Sequence, residues 1–275
     1  MKKDSRGQLP IIIAITLSGI IIFSALIAYR TSLLPKSIES SDWIHVIVNV
    51  DRDFKRILRI SLANFTRELI ETGNATSSEF KARVKLEVWR IAFSLGYVAS
   101  NLNISIHPKG KILLNEFSYT LQIIKDGSIY NQIINIPYLK IKDGFFFNYS
   151  WDQPYSVSMA YASINLDVAK DGVYGWNNSY TVFSSINVTK IIIDSNLNII
   201  MIYFNFCTED DSYSKLNENC ISIIINDTPI SFDSLIYYGL GNYSVKAKYT
   251  SYPQKIALIV TDCRGIIVVS KVILN

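Results

Sequence analysis

Residues 9 to 28, LPIIIAITLSGIIIFSALIA, contain no charged side chain. Twenty helical residues at about 1.5 Å each span roughly 30 Å, the apolar thickness of a bilayer. Lys2, Lys3 and Arg6 precede the run against Asp4 alone, whereas Arg30 and Lys36 after it are offset by Glu39 and Asp42. Excess positive charge stays on the cytoplasmic side of a membrane helix. The pattern therefore predicts a single-pass protein of the cell membrane, with membrane lipid as a partner, its N-terminus cytoplasmic and its C-terminal domains extracellular.

The remaining chain is long enough for one or two cores, because 49% of the 275 residues are hydrophobic and only 18% are charged. Seventeen Tyr and thirteen Phe among many Ile, Asn and Ser favour strands with hydroxyl-rich outer faces. The formal charge of +4 is spread along the chain, so no basic footprint for nucleic acid exists and no nucleic-acid partner is expected. Eight Asn-x-Ser/Thr sequons, at Asn64, Asn74, Asn103, Asn148, Asn177, Asn187, Asn226 and Asn242, fall after the apolar run and suit a glycoprotein surface.

Periodicity divides the chain beyond the apolar run. Pro35 stops or kinks the first helix. Trp43, Ile47, Val50, Phe54, Ile57, Leu58, Leu62, Phe65 and Leu69 then recur at steps of three and four, predicting an amphipathic helix that ends at Gly73. Thr76 and Glu79 fit a capping box. Phe80, Val84, Val88, Ile91, Ala92, Leu95 and Val98 mark the apolar face of a second helix. From Ile104 the period becomes two, and Asp126-Gly127, Asp143-Gly144 and Asp171-Gly172 read as tight turns between strands. The expected fold class is α+β: a transmembrane helix within 1–36, a two-helix stalk over 37–102 packed on an antiparallel β-sheet over 103–190, and a β-sandwich over 191–275.

Cys207 and Cys220 bracket the polar stretch TEDDSYSKLNEN between two strand-like runs. Cysteines at the base of one hairpin can pair, and the oxidising exterior would favour a Cys207–Cys220 disulfide stabilising by roughly 3 kcal/mol. The alternative is that these and Cys263 are small buried hydrophobes. Within the loop, Glu209, Asp210 and Asp211 are consecutive rather than spaced for calcium, so they read as a solvated hairpin tip.

Arg6-Gly7-Gln8-Leu9, followed directly by the apolar helix, resembles the class III signal peptide of archaeal type IV pilin-like proteins. The resemblance implies cleavage between Gly7 and Gln8, with the freed helix packing laterally against copies of itself or other pilin-like subunits in a filament core. Pro10 becomes the third mature residue, as in members of that family; Ile12 occupies the fifth, where bacterial pilins commonly have Glu. An uncleaved anchor is the alternative. The strands after Ile191 resemble an immunoglobulin-like sandwich in number and length, without the Cys, Trp, Cys spacing of antibody domains.

No HExxH, paired CxxC, GxSxG or GxxxxGK occurs, and the two histidines, His45 and His107, stand far apart. The chain is read as a non-enzyme with no cofactor, no metal site and no catalytic residue. The rings Phe145, Phe146, Phe147, Tyr149, Trp151, Tyr155, Tyr161, Tyr174 and Trp176 read chiefly as core, with an adhesive face as the alternative. A pilin-like or pilus-associated surface subunit is the leading expectation. An individually anchored binding or adhesion protein, associated with a surface layer or a ligand, is the second.

Overall fold

In the computed structural model the described residues are 43–96, 102–106, 112–141, 145–168, 173–210 and 215–274. The helices α1 (Trp43–Thr72) and α2 (Ala75–Gly96) precede thirteen strands. These are β1 (Leu102–Ile106), β2 (Ile112–Lys125), β3 (Ser128–Ile141), β4 (Phe145–Ser150), β5 (Tyr155–Val168), β6 (Val173–Asp194), β7 (Ile199–Thr208), β8 (Ile221–Ile225), β9 (Thr228–Ile230), β10 (Phe232–Gly239), β11 (Asn242–Lys248), β12 (Lys255–Thr261) and β13 (Ile267–Ile273).

α1 forms because its apolar residues repeat with the helical period. Val46, Val50, Phe54, Leu58, Leu62, Phe65 and Leu69 are all buried, on one continuous face. The helix ends where Gly73 adopts φ +66° and its amide donates to the Leu69 carbonyl, a left-handed stop that suits a residue without Cβ. The expected Thr76–Glu79 box does not start α2. Asn74 does, its carboxamide oxygen accepting from the Ser77 amide at 3.1 Å.

β6, twenty-two residues long, is the spine of a nine-stranded sheet. Its first part pairs with β5, its second with β7, and its last residues take β2 in parallel, Gln122 to Lys125 facing Lys190 to Ile193. β1 and β4 share the far edge of β5, β3 pairs with β2, and β11 and β10 extend the sheet beyond β7. The second sheet has four strands in the order β13, β12, β8, β9, and β13 lies against β5 and β6. Residues 156, 158, 160, 162, 164 and 166 of β5 and 182, 184, 186 and 188 of β6 are buried, so one face of the large sheet takes both α1 and the small sheet. One hydrophobic core joins helices and sheets.

Three expectations need correction. The strands after Ile191 do not form an immunoglobulin-like sandwich of their own: β7, β10 and β11 complete the large sheet, leaving only β8, β9, β12 and β13 in the second. The alternating period identifies each strand but not its neighbour. Second, no N-terminal transmembrane helix belongs to the fold described. Residues 9–28 lie outside the described residues, and among the described residues no helix is long and apolar enough to cross a membrane. The single-pass placement with extracellular domains is corrected on that finding; α1 is long enough but carries Asp51, Arg52, Asp53, Lys55, Arg56 and Arg59. Third, no disulfide joins Cys207 and Cys220, and Cys263 is not disulfide-bonded either. β7 and β8 are not a hairpin. They belong to different sheets, so no ladder holds the two cysteines opposite each other.

Candidate functional site

Four ionisable side chains, Arg59, Glu209, Asp262 and Arg264, converge where α1, β6, the end of β7 and the β12–β13 turn meet. That turn closes through the Gly265 amide on the Asp262 carbonyl, with Gly265 at φ +82°, and it presents Asp262 and Arg264 inward. Their side chains are 0% and 7% exposed. Arg264 donates to the Asp262 carboxylate from Nε and Nη2 at 2.8 and 2.6 Å, to Ser184 Oγ at 2.8 Å, to the Phe183 carbonyl at 3.0 Å, and from Nη1 to Glu209 at 2.5 Å. Arg59 of α1 adds a second cation on Glu209 at 3.2 Å, whose other oxygen accepts the Phe183 amide. Asp262 also accepts from the amides of Arg264 and Ile266 and from Ser184 Oγ.

Two guanidinium groups thus face two carboxylates, and the network is satisfied and neutral. Burial works against the Arg264 charge, yet Asp262 and Glu209 outweigh it and hold the guanidinium above its ordinary value. This cluster is a clasp rather than a reaction centre: every group is engaged by another part of the fold. Thr66 of α1 adds a neutral tie beside it, accepting from the Ile267 amide at 3.1 Å. The expectation of a solvated tip fails for Glu209, which turns into this clasp with 9% of its side chain exposed, while Asp211 lies outside the described residues.

Other residues singled out in the sequence are dispersed. Asp51 accepts from Asn178 and Tyr180 of β6, and Asp53 accepts the Trp89 indole N–H at 2.7 Å while pairing with Arg56, so both fasten α1 to its neighbours. His45 is exposed on α1, and His107 lies outside the described residues. No group of three or more His, Cys, Asp or Glu able to hold a metal occurs among the described residues. Gly7 and Gln8 lie outside the described residues. Phe145 and Phe147 point under the helices, Phe147 stacking on Phe65 at 4.9 Å, while Phe146 stacks on Tyr161 at 5.7 Å on the other face. Phe145, Phe146 and Trp151 are buried, so these three rings offer no exposed adhesive face.

The sequons divide by surroundings. Asn74, Asn177 and Asn242 are exposed; Asn64 and Asn148 are half-buried; Asn103 lies on β1. Asn187 is half-buried, and its buried carboxamide oxygen has no hydrogen-bond partner among the described residues. Asn226 sits in the β8–β9 turn at φ +49°, where its amide nitrogen donates to Ser251 Oγ and the Tyr252 carbonyl and its oxygen accepts from the Gln254 and Lys255 amides. It staples the 251–255 loop.

That loop forms one rim of a cleft of about 520 Å³, the other wall being the β2–β3 hairpin where it runs past the small sheet. Ile123, Ile193 and Leu274 contribute apolar surface; Lys125, Tyr130, Asn131, Gln132, Tyr252 and Gln254 supply polar groups and rings. The hairpin tip is fixed by Asp126, whose carboxylate accepts from the Ser195 amide and hydroxyl, both at 2.8 Å. Those two hydrogen bonds hold the Asp126 carboxyl below its ordinary value. A depressed carboxylate stabilises above its unfolded range and loses that contribution as pH falls through the folded value. Lowering the pH from 6 to well below the ordinary aspartate range, through the depressed folded value, is therefore expected to release the tip; amide exchange at Ser195 should accelerate while the core amides of β6 stay protected.

No family model, curated protein or solved structure matches this chain.

Proposed function

We propose that the chain is a non-enzymatic assembly subunit, pilin-like or pilus-associated, that packs against copies of itself or related subunits through its helical side. The observation that carries this reading is the outer face of α2. Phe80, Val84, Val88, Ile91 and Leu95 follow one another at steps of four, four, three and four, and each is between 44% and 69% exposed. The opposite face, with Ala82, Leu86 and Trp89 buried, already covers α1. A contiguous stripe of large apolar side chains on a helix is an interaction surface in waiting. The long helix laid on a sheet and the Arg6-Gly7-Gln8-Leu9 leader pattern support the same reading.

Sedimentation velocity of the full-length chain is expected to show species larger than the monomer. Val88→Glu should return it to monomer with little change in unfolding midpoint, since an exposed substitution shifts stability by about 0.5 kcal/mol or less. Identical sedimentation of both proteins would count against the stripe as the contact. A module that acts singly by binding or adhesion is the second reading, favoured by the cleft between the β2–β3 hairpin and the 251–255 loop.

A further inference from the structure

We infer that the cleft between the β2–β3 hairpin and the 251–255 loop is a saccharide-binding site, taking one or two sugar rings. The inference stands apart from the assembly reading, because the cleft and the α2 stripe share no residue.

Its volume, about 520 Å³, lies within the roughly 300–1,000 Å³ of small-molecule sites. The chemistry of the lining narrows the class. Asn131, Gln132 and Gln254 supply three carboxamides, each both donor and acceptor, which is the match for a hydroxyl that also does both. Tyr130 and Tyr252, partly exposed, supply ring faces for the C–H side of a pyranose. Among the described residues Lys125 is the one cation of the lining, its Nζ 4.7 Å over the Tyr252 ring. A single cation is too little for a polyphosphate. Among the described residues the lining holds no carboxylate to ligate a metal, and no cysteine, serine or histidine to act as a nucleophile.

The walls are fixed before any ligand arrives, and preorganisation is what a weak polar ligand needs. Asp126 ties the hairpin tip to Ser195. Tyr249 ties the following loop to the same β6–β7 turn, its amide donating to the Asn198 carbonyl at 3.0 Å and its hydroxyl to the Asp194 carbonyl at 3.3 Å. Asn226 holds the backbone of Tyr252 and Gln254. Three separate anchors therefore converge on one hollow.

The test is ligand-observed saturation-transfer NMR on the full-length chain with three free disaccharides: cellobiose, chitobiose and a glucuronate-containing disaccharide. Transfer to the ring C–H protons of at least one is expected, lost in Tyr130→Ala/Tyr252→Ala and weakened at least tenfold in Gln132→Ala. Gln132 is exposed, so that variant is expected to keep the fold, which the unfolding midpoint verifies. No transfer from any of the three sugars, or transfer undiminished in both variants, overturns the assignment.

Discussion

Arg264→Ala is expected to destabilise the chain by about 3–5 kcal/mol, the cost of leaving buried carboxylates without their partner. The guanidinium fills five roles at once: two bonds to Asp262, one each to Glu209, Ser184 and the Phe183 carbonyl. Removing it leaves Asp262, whose side chain is fully buried, with no cation and only the neutral donors of Ser184 and the nearby amides, and leaves Glu209 with Arg59 as its remaining cation beside the Phe183 amide. Lysine cannot replace it, because an ammonium lacks the planar fork that reaches Asp262, Glu209 and the Phe183 carbonyl together. Arg264→Lys should therefore recover less than half of the loss. Urea unfolding followed by tryptophan fluorescence measures both. A loss below about 1 kcal/mol for alanine, within the range of exposed ion pairs, would mean that the clasp does not join α1 to the sheets.

Phe54→Ala is the second large expected loss, about 3–5 kcal/mol for a fully buried aromatic ring replaced by a methyl. Phe54 is the point where α1, α2 and β6 meet: its centroid lies 5.3 Å from that of Trp89 and 5.8 Å from that of Tyr180. Both neighbours also hold polar bonds to α1, Trp89 to Asp53 and Tyr180 to Asp51, so they cannot collapse far into the space without giving those up. The cavity therefore stays largely open, which places the loss in the upper part of the range. Phe80→Ala, on the exposed face of α2, should cost less than about 0.5 kcal/mol. A similar loss at both positions would contradict the assignment of faces.

These faces mark how far the amino-acid pattern reaches. α1 was legible because its apolar residues keep to one stripe and its charges to the other side. α2 was legible as a helix, but two apolar stripes compete: Phe80, Val84, Val88, Ile91 and Leu95 form the longer series, whereas the shorter one of Ala82, Leu86, Trp89 and Phe93 packs. Shape decides the choice, since Ala82 allows α1 to approach and Trp89 reaches Asp53. Strands were legible from their period and partners were not, which is why β11 pairs with β7 across intervening strands while β8 leaves for another sheet.

The clasp and the cleft left almost no local signal. Glu209 sits in a polar stretch that reads as a loop tip, and Arg264 sits in a Gly turn; only the fold brings them within 2.5 Å. Tyr130 and Tyr252 are separated by most of the β-region. Asn226 matched a sequon, and nothing in Asn-Asp-Thr foretells that its carboxamide makes four hydrogen bonds to the opposing loop. The missing Cys207–Cys220 disulfide has the same origin in long-range pairing.

Assembly through the helical side and processing at the leader are parts of one proposal, and they meet in a single sample. Filaments purified from the native source can be digested and their N-terminal peptides sequenced by mass spectrometry. The account predicts this chain in the filament fraction with a peptide beginning at Gln8. A chain that begins at Met1 or Lys2 and is absent from the filament fraction would contradict it.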